Sequence, residues 1–508
     1  MATRQLRSAL VSVYSKDGLA PIIRELDKQG VQLYSTGGTQ RFIEGLGVPV
    51  EAVENITSYP SILDGRVKTL HPKVFGGLLA RREADHLAQL AEYDIPEIDL
   101  VIVDLYPFEE TVASTDDEAQ IIEKIDIGGI SLIRAAAKNY RDVVVVPSRA
   151  QYAGFLNILQ NGNGYTTLTE RKALARAAFR VSSHYDTKIH DYFLGDEEGD
   201  GFQYSVTGST ALRYGENPHQ RAWFHGNLRE QFTQLNGKAL SYNNLVDIDA
   251  AVGIMSELAA GAPAFAILKH TNACGVAVRD TVLEAWHAAL AADNVSAFGG
   301  ILITNTEVDR ATAEQIDQLF YEVLIAPGFS EAALALLTKK KKRVLLRIAH
   351  FDLAARSFKS LLNGVIEQDS DRRTETVADF TVVTETRPTD AQLADLVFAA
   401  KVGKHLKSNT IVLARDQQLL GMGCGQTSRV DACRQAIEKA RKFGFDLTGA
   451  VLASDAFFPF PDCIELAAAA GIAAVVQPGG SIKDHLSVEA ADAHGLAMVT
   501  TGVRHFKH

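Results

Sequence analysis

Residues 31–39 read Val-Gln-Leu-Tyr-Ser-Thr-Gly-Gly-Thr, a short β-rich run that ends in hydroxyl groups and two glycines. The apolar run Leu10–Val13 precedes it, and the segment Leu19–Gln29 between the two runs has helical periodicity and stops at Gly30. Short β-rich runs separated by helices are typical of a parallel sheet with crossover helices. We therefore predict an α/β fold whose first strands belong to one parallel sheet.

Two further runs, Leu100–Val103 and Val143–Val146, continue the same alternation. The first of them ends in the segment Asp104–Phe108, which reads Asp-Leu-Tyr-Pro-Phe. In open parallel sheets, ligands bind beyond the carboxyl ends of the strands. The polar and glycine-rich segments that follow these strands are therefore the first candidates for a binding site.

A helical stretch, Leu168–Phe193, leads into the segment Gly195–Gly201, which has three glycines and four acidic residues. Such a segment cannot contribute to a core, so we expect one domain over residues 1–195 and another over residues 202–508. The second region has its own strand candidates at Phe265–Leu268, Ile301–Thr304, Val344–Ile348, Ile411–Ala414, Val451–Ala453 and Ala473–Val476. Because this region exceeds one ordinary domain, we expect two similar subdomains, about 202–370 and 371–508, joined between Val365 and Asp390.

The composition narrows the function classes. The chain has 508 residues, 46% of them hydrophobic and 22% charged, with a formal net charge of −11. This acidic balance argues against a nucleic-acid partner, and without an apolar run of membrane-spanning length we expect no membrane span. Four dispersed cysteines with no C-x-x-C spacing favour a cytoplasmic protein with neither a disulfide framework nor a metal site. The cationic run Lys339–Arg343 is interpreted as a solvated loop, and the alternative is a docking surface for a polyanionic ligand tail.

Residues 65–72, Gly-Arg-Val-Lys-Thr-Leu-His-Pro, place two cations, a hydroxyl group and an imidazole close together. Ser12, Lys16 and the loop Ser35–Thr39 can complete a phosphate cradle with them. Glycine lets backbone N–H groups approach an anion, and Lys or Arg neutralises its charge. Gly-Gly-Thr alone is a common turn, but the clustering at strand ends favours a phosphate site.

Several other polar residues have both a structural and a functional interpretation. Asp126 precedes the predicted helix Ile130–Ala137 and is either a helix cap or a site residue. Tyr106 is either a half-buried loop aromatic or a site residue. Neither residue would be assigned to catalysis from its spacing alone.

In the second region, Lys269 and His270 follow a fully apolar strand. A lone histidine is more often structural, but an ammonium group beside it favours a neutral imidazole that accepts a proton. The cluster Leu212–Gln220 contains groups suited to phosphate or ribose. The pair Ser408-Asn409 also fits an ordinary turn.

In their order along the chain, these motifs resemble those of the bifunctional AICAR transformylase/IMP cyclohydrolase family of de novo purine synthesis. The segments that resemble the cyclohydrolase part are Ser35–Thr39, Gly65–Pro72, Asp104–Phe108 and Asp126–Gly129. The segments that resemble the transformylase part are Leu212–Gln220, Lys269–Gly275, Ser296–Gly300, Ile325–Gly328, Ser454–Phe460 and Arg504–His508. The resemblance covers nearly the whole chain.

The resemblance implies a methylglyoxal-synthase-like N-terminal domain with a parallel sheet, followed by two cytidine-deaminase-like α/β subdomains. It implies a transferase that moves the formyl group of 10-formyltetrahydrofolate to AICAR, and a hydrolase that cyclises the product FAICAR to IMP with loss of water. It also implies a homodimer with transformylase sites shared between chains. Folate is then a cosubstrate, and no bound cofactor is expected.

By resemblance, His270 transfers a proton as the AICAR amine attacks the formyl carbon, Lys269 tunes it, and Asn409 orients the imidazole or the formyl group. Such assistance should matter, because an aromatic amine is a poor nucleophile, and the tetrahedral oxyanion needs a donor. The other contacts to AICAR or folate are implied at Arg213, Tyr214, Glu322, Gln426, Ser454, Asp455, Phe457, Phe458 and Arg504.

For cyclisation, the resemblance places Lys68, Tyr106, Asp126 and Lys138 around the reacting groups of FAICAR, where orientation supplies much of the rate. It implies further substrate contacts, chiefly to the phosphate, at Ser12, Lys16, Thr36, Gly37, Gly38, Thr39, Arg66, Thr69 and Gly128. The chain departs from the family pattern at Asp104 (usually Asn), at Tyr14-Ser15 and at Ala273 (usually Pro). A carboxylate at position 104 is unexpected beside a phosphate site.

Two other classes are weighed against this one. A zinc-dependent deaminase needs an H-x-E motif with a P-C-x-x-C partner, and the sequence contains no C-x-x-C. A non-catalytic nucleotide-binding protein would explain the phosphate loops but not Lys269 and His270 together with Asn409.

Overall fold

The computed structural model describes residues 3–63, 66–195, 197, 199 and 201–508. The chain divides into two compact units, Met1–Thr207 and Gly208–His508. Gly65 of the predicted phosphate motif and three residues of the predicted break (Asp196, Glu198 and Asp200) lie outside the described residues. The limits 1–195 and 202–508 therefore stay a prediction.

The elements of the first unit, in chain order, are β1 (Thr3–Gln5), β2 (Ser8–Val13), α1 (Ala20–Lys28), β3 (Gln32–Ser35), α2 (Gly37–Gly45), β4 (Glu51–Ala52), α3 (Val53–Thr57), α4 (Pro72–Leu79), α5 (Ala84–Glu92), β5 (Leu100–Asp104), α6 (Phe108–Ser114), α7 (Glu118–Ile122), α8 (Gly128–Lys138), β6 (Val144–Val146), α9 (Tyr152–Gly162), β7 (Tyr165–Thr167) and α10 (Leu168–Leu194). After α10, the Ser205 hydroxyl returns to within 2.8 Å of the His184 ring on that helix.

The central sheet of this unit has the strand order β4-β3-β2-β5-β6, and each neighbouring pair is parallel. Alternate residues of β2 face opposite sides, so Val11 packs with α1 and α9 whereas Leu10 packs with α4, α8 and α10. A sheet covered on both faces in this way needs nearly continuous apolar strands. The parallel sheet predicted for the first region is confirmed.

The second unit contains β8 (Ser209–Ala211), β9 (Trp223–His225), β10 (Phe232–Asn236), α11 (Tyr242–Ser256), β11 (Ala264–Lys269), β12 (Asn272–Val278), α12 (Val282–Ala292), β13 (Ile301–Thr304), α13 (Arg310–Ile316), β14 (Val323–Ala326), α14 (Glu331–Leu337), β15 (Val344–Ile348), β16 (Arg356–Leu361), β17 (Gly364–Asp369), β18 (Thr381–Val382), α15 (Asp390–Lys404), β19 (Ile411–Arg415), β20 (Gln418–Gly423), α16 (Arg429–Lys442), β21 (Val451–Ser454), α17 (Asp462–Ala470), β22 (Ala474–Gln477), α18 (Asp484–Ala493) and β23 (Ala497–Thr500).

Within residues 208–508, one twelve-stranded sheet has the order β10-β15-β14-β13-β11-β12-β20-β19-β21-β22-β23-β18. Read outward from the β12–β20 pair, the two halves have the same connectivity, with β11 matching β19 and β15 matching β23. In each half the edge strand, β10 or β18, is followed by a helix, α11 or α15, whose acidic residue at the sixth position binds the backbone of the following hairpin turn. Asp247 accepts from the Thr271 amide at 2.7 Å, and Asp395 accepts from the Gln417 amide at 2.6 Å. The unit is therefore an internal structural repeat; the subdomain limits and the cytidine-deaminase-like fold stay predictions.

In chain order, β16 and β17 lie between the two halves. They pair with each other in a hairpin that forms a separate two-stranded sheet. The sequence predicted neither this hairpin nor the strands β12 and β20, which pair in the middle of the large sheet. None of the helices in the described part of the chain combines the length and the apolar content needed to cross a membrane.

Candidate active sites

A cavity of about 600 Å³ opens at the carboxyl ends of β2, β3 and β5 in the first unit. The strands are parallel and in register, so the loops that follow them meet at this edge. Predicted site residues that line the cavity are Ser12, Lys16, Thr36, Gly38, Thr39, Arg66, Lys68, Thr69, Tyr106, Asp126 and Gly128.

One end of this cavity is formed by the start of α2. Gly37 has a φ of +43°, and a Cβ there would lie 3.6 Å from Lys68 Nζ, whereas a Cβ on Gly38 would lie 3.9 Å from Lys16 Nζ. Two ammonium groups thus stand beside the start of α2, which is the positive end of the helix dipole. This arrangement is suited to a phosphate.

The carboxylate of Asp104 lies at the same edge. Its Oδ2 accepts from the Ser15 amide at 3.0 Å, and its Oδ1 lies 3.6 Å from Arg149 Nε. Burial raises the pKa of Asp104, and it lowers the pKa of Lys16, whose Nζ donates to the carbonyls of Val13 and Tyr14. The unexpected carboxylate therefore holds the loop after β2, and Arg149 compensates its charge.

Asp126 and Tyr106 lie together in the cavity. Asp126 Oδ1 accepts from the Gly129 amide at 2.6 Å, so the carboxylate binds the start of α8 and also lines the site. Burial raises the pKa of Asp126, against the effect of backbone hydrogen bonds that include one from Tyr106. Burial, followed by the charge of Asp126, also raises the pKa of the Tyr106 phenol. Asp126 is thus both a cap of α8 and a residue that lines the cavity.

Tyr185 of α10 was not predicted and positions this loop. Its hydroxyl accepts from the Asp126 amide at 3.0 Å and donates to the Lys124 carbonyl at 2.6 Å. Tyr14 packs edge-on to Tyr106 with ring centroids 5.5 Å apart. No local pattern in the sequence could have indicated Tyr185, because it lies nearly sixty residues beyond the loop that it holds.

Lys138 does not join the other predicted residues. It is an exposed residue at the last position of α8, ten residues from Gly128 at the first. At about 1.5 Å per residue, the helix separates the two ends by roughly 15 Å. Arg66 lines the cavity, but at the rim it is ion-paired with Glu123.

In the second unit, one edge of the large sheet collects most of the predicted transformylase residues. The hairpin turn after β11 lies at this edge, with the amino ends of β13 to β15 and of β19 and the carboxyl ends of β21 to β23. The predicted residues that directly flank these strand ends are Lys269, His270, Asn409, Glu322, Ser454 and Asp455.

The turn itself is made by His270 and Thr271, whose φ angles of +52° and +62° lie in the left-handed region. Lys269 Nζ donates to the Phe298 carbonyl at 2.7 Å, and Asn272 Nδ2 donates to the His270 carbonyl at 3.0 Å. The backbone of the turn is thus held on both sides, and the exposed His270 side chain is free to meet a substrate.

Asn409 is fixed by a buried network. Its Nδ2 donates to the Gln426 carbonyl at 3.0 Å, and its Oδ1 accepts from Arg429 Nη2 at 2.8 Å. Arg429, at the start of α16, also donates to Asp455 at 2.9 Å, and their side chains are 8% and 0% exposed. Asp455 was predicted to contact a substrate, but its side chain is enclosed and bound to Arg429, a residue that no motif in the sequence indicated.

One other expectation needs correction. Phe458 is fully buried in the core among Leu452, Cys463 and their neighbours, so its ring cannot line a folate site, whereas Phe457 is exposed. Asn409 was expected to orient either the imidazole of His270 or the formyl group, and both alternatives stay predictions. Within residues 208–508 no hydrogen bond joins Asn409 to His270. Their strands, β11 and β19, are separated by β12 and β20, or about 14 Å at roughly 4.8 Å per strand.

The remaining predicted contacts occupy loops of this unit. Arg213 lies over the Tyr214 ring at 5.5 Å, and Glu322 is ion-paired with Lys238 at 2.6 Å. Gln426 Nε2 donates to the Cys424 carbonyl at 3.1 Å. Arg504 is exposed and packs on Phe506 at 4.4 Å.

The lysine run 339–343 is only partly a solvated loop. Arg343 is buried, donates to Asp317 at 2.6 Å and lies 4.4 Å from the Tyr321 ring, so it is part of the fold. Lys340 is ion-paired with the same aspartate at 3.0 Å.

The fold and the two sites define a two-part α/β enzyme, with a cavity lined by cationic and hydroxyl side chains in a parallel-sheet unit and a second polar site at the edge of a repeated sheet. The family model described as "AICARFT/IMPCHase bienzyme" matches residues 136–439, and the one described as "MGS-like domain" matches residues 18–131. The chain belongs to the AICARFT/IMPCHase bienzyme family.

Relatives agree over the whole length. The chain is 58% identical to the "Bifunctional purine biosynthesis protein PurH" of Bacteroides thetaiotaomicron over 507 residues, which are 100% of this chain and 99% of the relative. It is 46% identical over 527 residues to the protein of the same name from Chlorobium phaeobacteroides, with 100% of both chains covered. The predicted family, the methylglyoxal-synthase-like first domain and the bifunctional role in purine biosynthesis are confirmed.

Proposed function

We propose that the two units of this bifunctional enzyme divide its two reactions. The second unit transfers the formyl group of 10-formyltetrahydrofolate to AICAR, and the first unit cyclises the resulting FAICAR to IMP. The observation that carries this division is the cavity of the first unit, where Lys16 and Lys68 flank the start of α2. A nucleotide phosphate at that position leaves the base toward Tyr106 and Asp126.

In ring closure, the carboxamide nitrogen adds to the formyl carbon, and the formyl oxygen leaves as water with one proton from each nitrogen. Asp126, half-buried and held by backbone N–H groups, is the candidate acceptor of the amide proton. The Tyr106 phenol and the Lys68 ammonium are the donors available for charge on the formyl oxygen. The cradle fixes the other end of the substrate, which brings the reacting atoms together.

In formyl transfer, the amine of AICAR attacks the formyl carbon, the bond from that carbon to N10 of the folate breaks, and tetrahydrofolate leaves. His270 is exposed at a rigid turn, so it can accept the amine proton and deliver it to N10. Lys269 and Asn409 are the candidate donors to the tetrahedral oxyanion. Folate acts here as a cosubstrate.

A homodimer is part of this proposal. The separation of about 14 Å between the strands of His270 and Asn409 favours a site completed by a second copy, with His270 from one chain and Asn409 from the other. The hairpin β16–β17 supports association, because Leu362 and Ile366 expose 98% and 56% of their surface. A lone two-stranded hairpin is marginally stable in water, so we propose that this one packs on the partner. Four free cysteines, three of them buried, favour a cytoplasmic location.

Mixing two inactive variants tests both the site and its sharing. His270→Ala and Asn409→Ala should each lose formyl transfer by about 10²-fold or more while still cyclising supplied FAICAR. If the site is shared, a mixed dimer has one site with both residues intact, and mixing should restore transfer. Tetrahydrofolate release and IMP appearance are followed separately.

A matched mixture of His270→Ala with a second His270→Ala preparation controls for handling, because it cannot create an intact site. Inactive mixtures whose subunits have demonstrably exchanged would contradict the shared site. Near-normal transfer by His270→Ala alone would contradict its proposed role.

A further inference from the structure

The C-terminal tail, residues 501–508, turns back after β23 and runs along the edge that carries the transformylase residues. The His505 amide donates to the Asp455 carbonyl at 3.1 Å. Further along, the Ser408 amide donates to the Lys507 carbonyl at 3.0 Å, and the Lys507 amide donates to Ser408 Oγ at 3.1 Å. The tail therefore follows the strand ends instead of projecting into solvent.

The ring of His505 is held between two carboxylates. Its Nδ1 lies 2.6 Å from Asp371 Oδ2, and its Nε2 lies 2.9 Å from Glu375 Oε2, with the side chains of His505 and Glu375 8% and 4% exposed. A neutral imidazole has a single N–H group. At one of these two contacts an unprotonated ring nitrogen would therefore face a carboxylate oxygen, and neither atom could donate a hydrogen bond. Both contacts are favourable only when both ring nitrogens carry a proton.

The charges around the ring lead to the same conclusion. Lys404 Nζ lies 2.7 Å from Glu257, with both side chains buried, and 3.9 Å from Asp371. His405 is 3.2 Å from Glu257, and burial lowers the pKa of this histidine, which keeps it neutral. Lys404 thus balances Glu257, and a neutral His505 would leave the buried Glu375 without a cation, an unfavourable state.

We propose that His505, as an imidazolium clamped by Asp371 and Glu375, is a positioning residue that fixes the C-terminal tail and so holds Arg504 against AICAR. The inference rests on the proposed contact between Arg504 and AICAR, and it adds the device that keeps this exposed side chain in place. The segment 371–375, between the two halves of the repeat, thereby becomes part of the transformylase site.

The clamp has a defined pH dependence. Burial lowers the pKa of His505, but the carboxylates of Glu375 and Asp371 outweigh it, and the net shift is upward from the ordinary value. The Lys404 ammonium acts in the opposite direction to those carboxylates. Because the folded pKa is raised, the clamp is fully formed below the ordinary value of about 6.5 and is lost as the pH rises through the raised value.

Steady-state kinetics of single variants test the clamp. His505→Gln should raise the KM for AICAR roughly tenfold at neutral pH, because a charged hydrogen-bonded pair is lost, while kcat changes by less than about twofold. Cyclisation of supplied FAICAR should not change, and His494→Gln, at an exposed histidine outside the tail, should leave both activities as in the wild type. Glu375→Gln keeps the shape but removes the charge, so KM should begin to rise at a lower pH than in the wild type.

The outcomes are separable. A raised KM in Arg504→Ala with an unchanged KM in His505→Gln would overturn the clamp alone, and an unchanged KM in Arg504→Ala would overturn the AICAR contact on which the inference rests. If His505→Gln does not fold, Glu375→Gln tests the clamp in its place. A dependence of the KM for AICAR on pH identical to that of the wild type would overturn the proposed imidazolium. Selective labelling of the histidine rings provides a second readout, because a neutral His505 ring at pH 7 by NMR would also overturn it.

Discussion

Replacing Gly129 by alanine should abolish cyclisation of FAICAR and leave the protein folded, because of where the new methyl group would lie. A Cβ at position 129 would fall 2.6 Å from Asp126 Oδ2 and 2.9 Å from Oδ1. Non-bonded heavy atoms pack at about 3.5–4.0 Å, so the carboxylate must leave the start of α8. It would then lose the 2.6 Å hydrogen bond from the amide of residue 129.

This substitution should change the free energy of unfolding only a little, whereas it should lower kcat for cyclisation strongly. A hydrogen bond to a charged group contributes about 1.5–3 kcal/mol, and alanine in place of a helical glycine returns up to about 1 kcal/mol. The free energy of unfolding should therefore fall by about 0.5–3 kcal/mol. Losing a positioned acid–base group should lower kcat for cyclisation by about 10²–10⁴-fold.

The assay follows IMP formation from supplied FAICAR, together with thermal unfolding and transformylase activity in the same preparation. Gly154→Ala is the matched control, since this helical glycine of α9 has nothing within 4 Å of a Cβ. Asp126→Asn should lose cyclisation to a similar degree. If Gly129→Ala cyclises FAICAR with nearly the wild-type kcat, Asp126 is only a helix cap and the reasoning is refuted.

Three other outcomes are expected. Lys68→Met should lower kcat for cyclisation by about 10²–10³-fold. Lys16→Met should instead raise the KM for FAICAR and weaken IMP binding. If Lys68→Met changed only KM, Lys68 would be a phosphate ligand and not a catalytic residue. A fragment ending at Thr207 should cyclise FAICAR and melt at a higher temperature than one ending at Gly195, because the segment after α10 returns to that helix; an inert or insoluble longer fragment would contradict an autonomous first unit. Hydrogen bonds from His405, Lys404 and Thr374 outweigh burial and lower the pKa of Glu257 to about 2, so Glu257→Gln should reduce the free energy of unfolding at pH 7 by on the order of 3 kcal/mol. Denaturant titration should show this contribution in the wild type above about pH 4.5 and its loss toward pH 2, and a variant as stable as the wild type would contradict the pair.

Much of the first site could be predicted because its residues lie in contiguous segments. The loop 35–39 and the residues Lys68 and Asp126 follow strands or precede helices whose periodicity is local, and parallel strands bring such loops to one edge. The alternative interpretations of Asp126, as a cap or as a site residue, could not be separated in the sequence. The structure shows that one carboxylate both binds the start of α8 and lines the cavity.

The second site was harder to predict, because its contacts are distant in the sequence. Phe457 and Phe458 are adjacent residues of the same type, so the sequence does not distinguish them. The packing of α16 and α17 buries Phe458 and leaves Phe457 exposed. Arg429 and Asp455 meet across 26 residues. Arg429 follows a serine that caps α16, and this local pattern does not indicate a buried aspartate as its partner.

The sequence by itself determined the family and the parallel sheet of the first unit, and it supplied the candidate site residues, because local periodicity and ordered motifs depend on neighbouring positions. Only the tertiary structure decided that β12 and β20 join two halves into one sheet, that Lys138 lies at the far end of α8, and that His505 meets two carboxylates. These outcomes depend on burial and on pairings between distant segments. Their energies arise when water is excluded from the packed chain, and no local pattern encodes them.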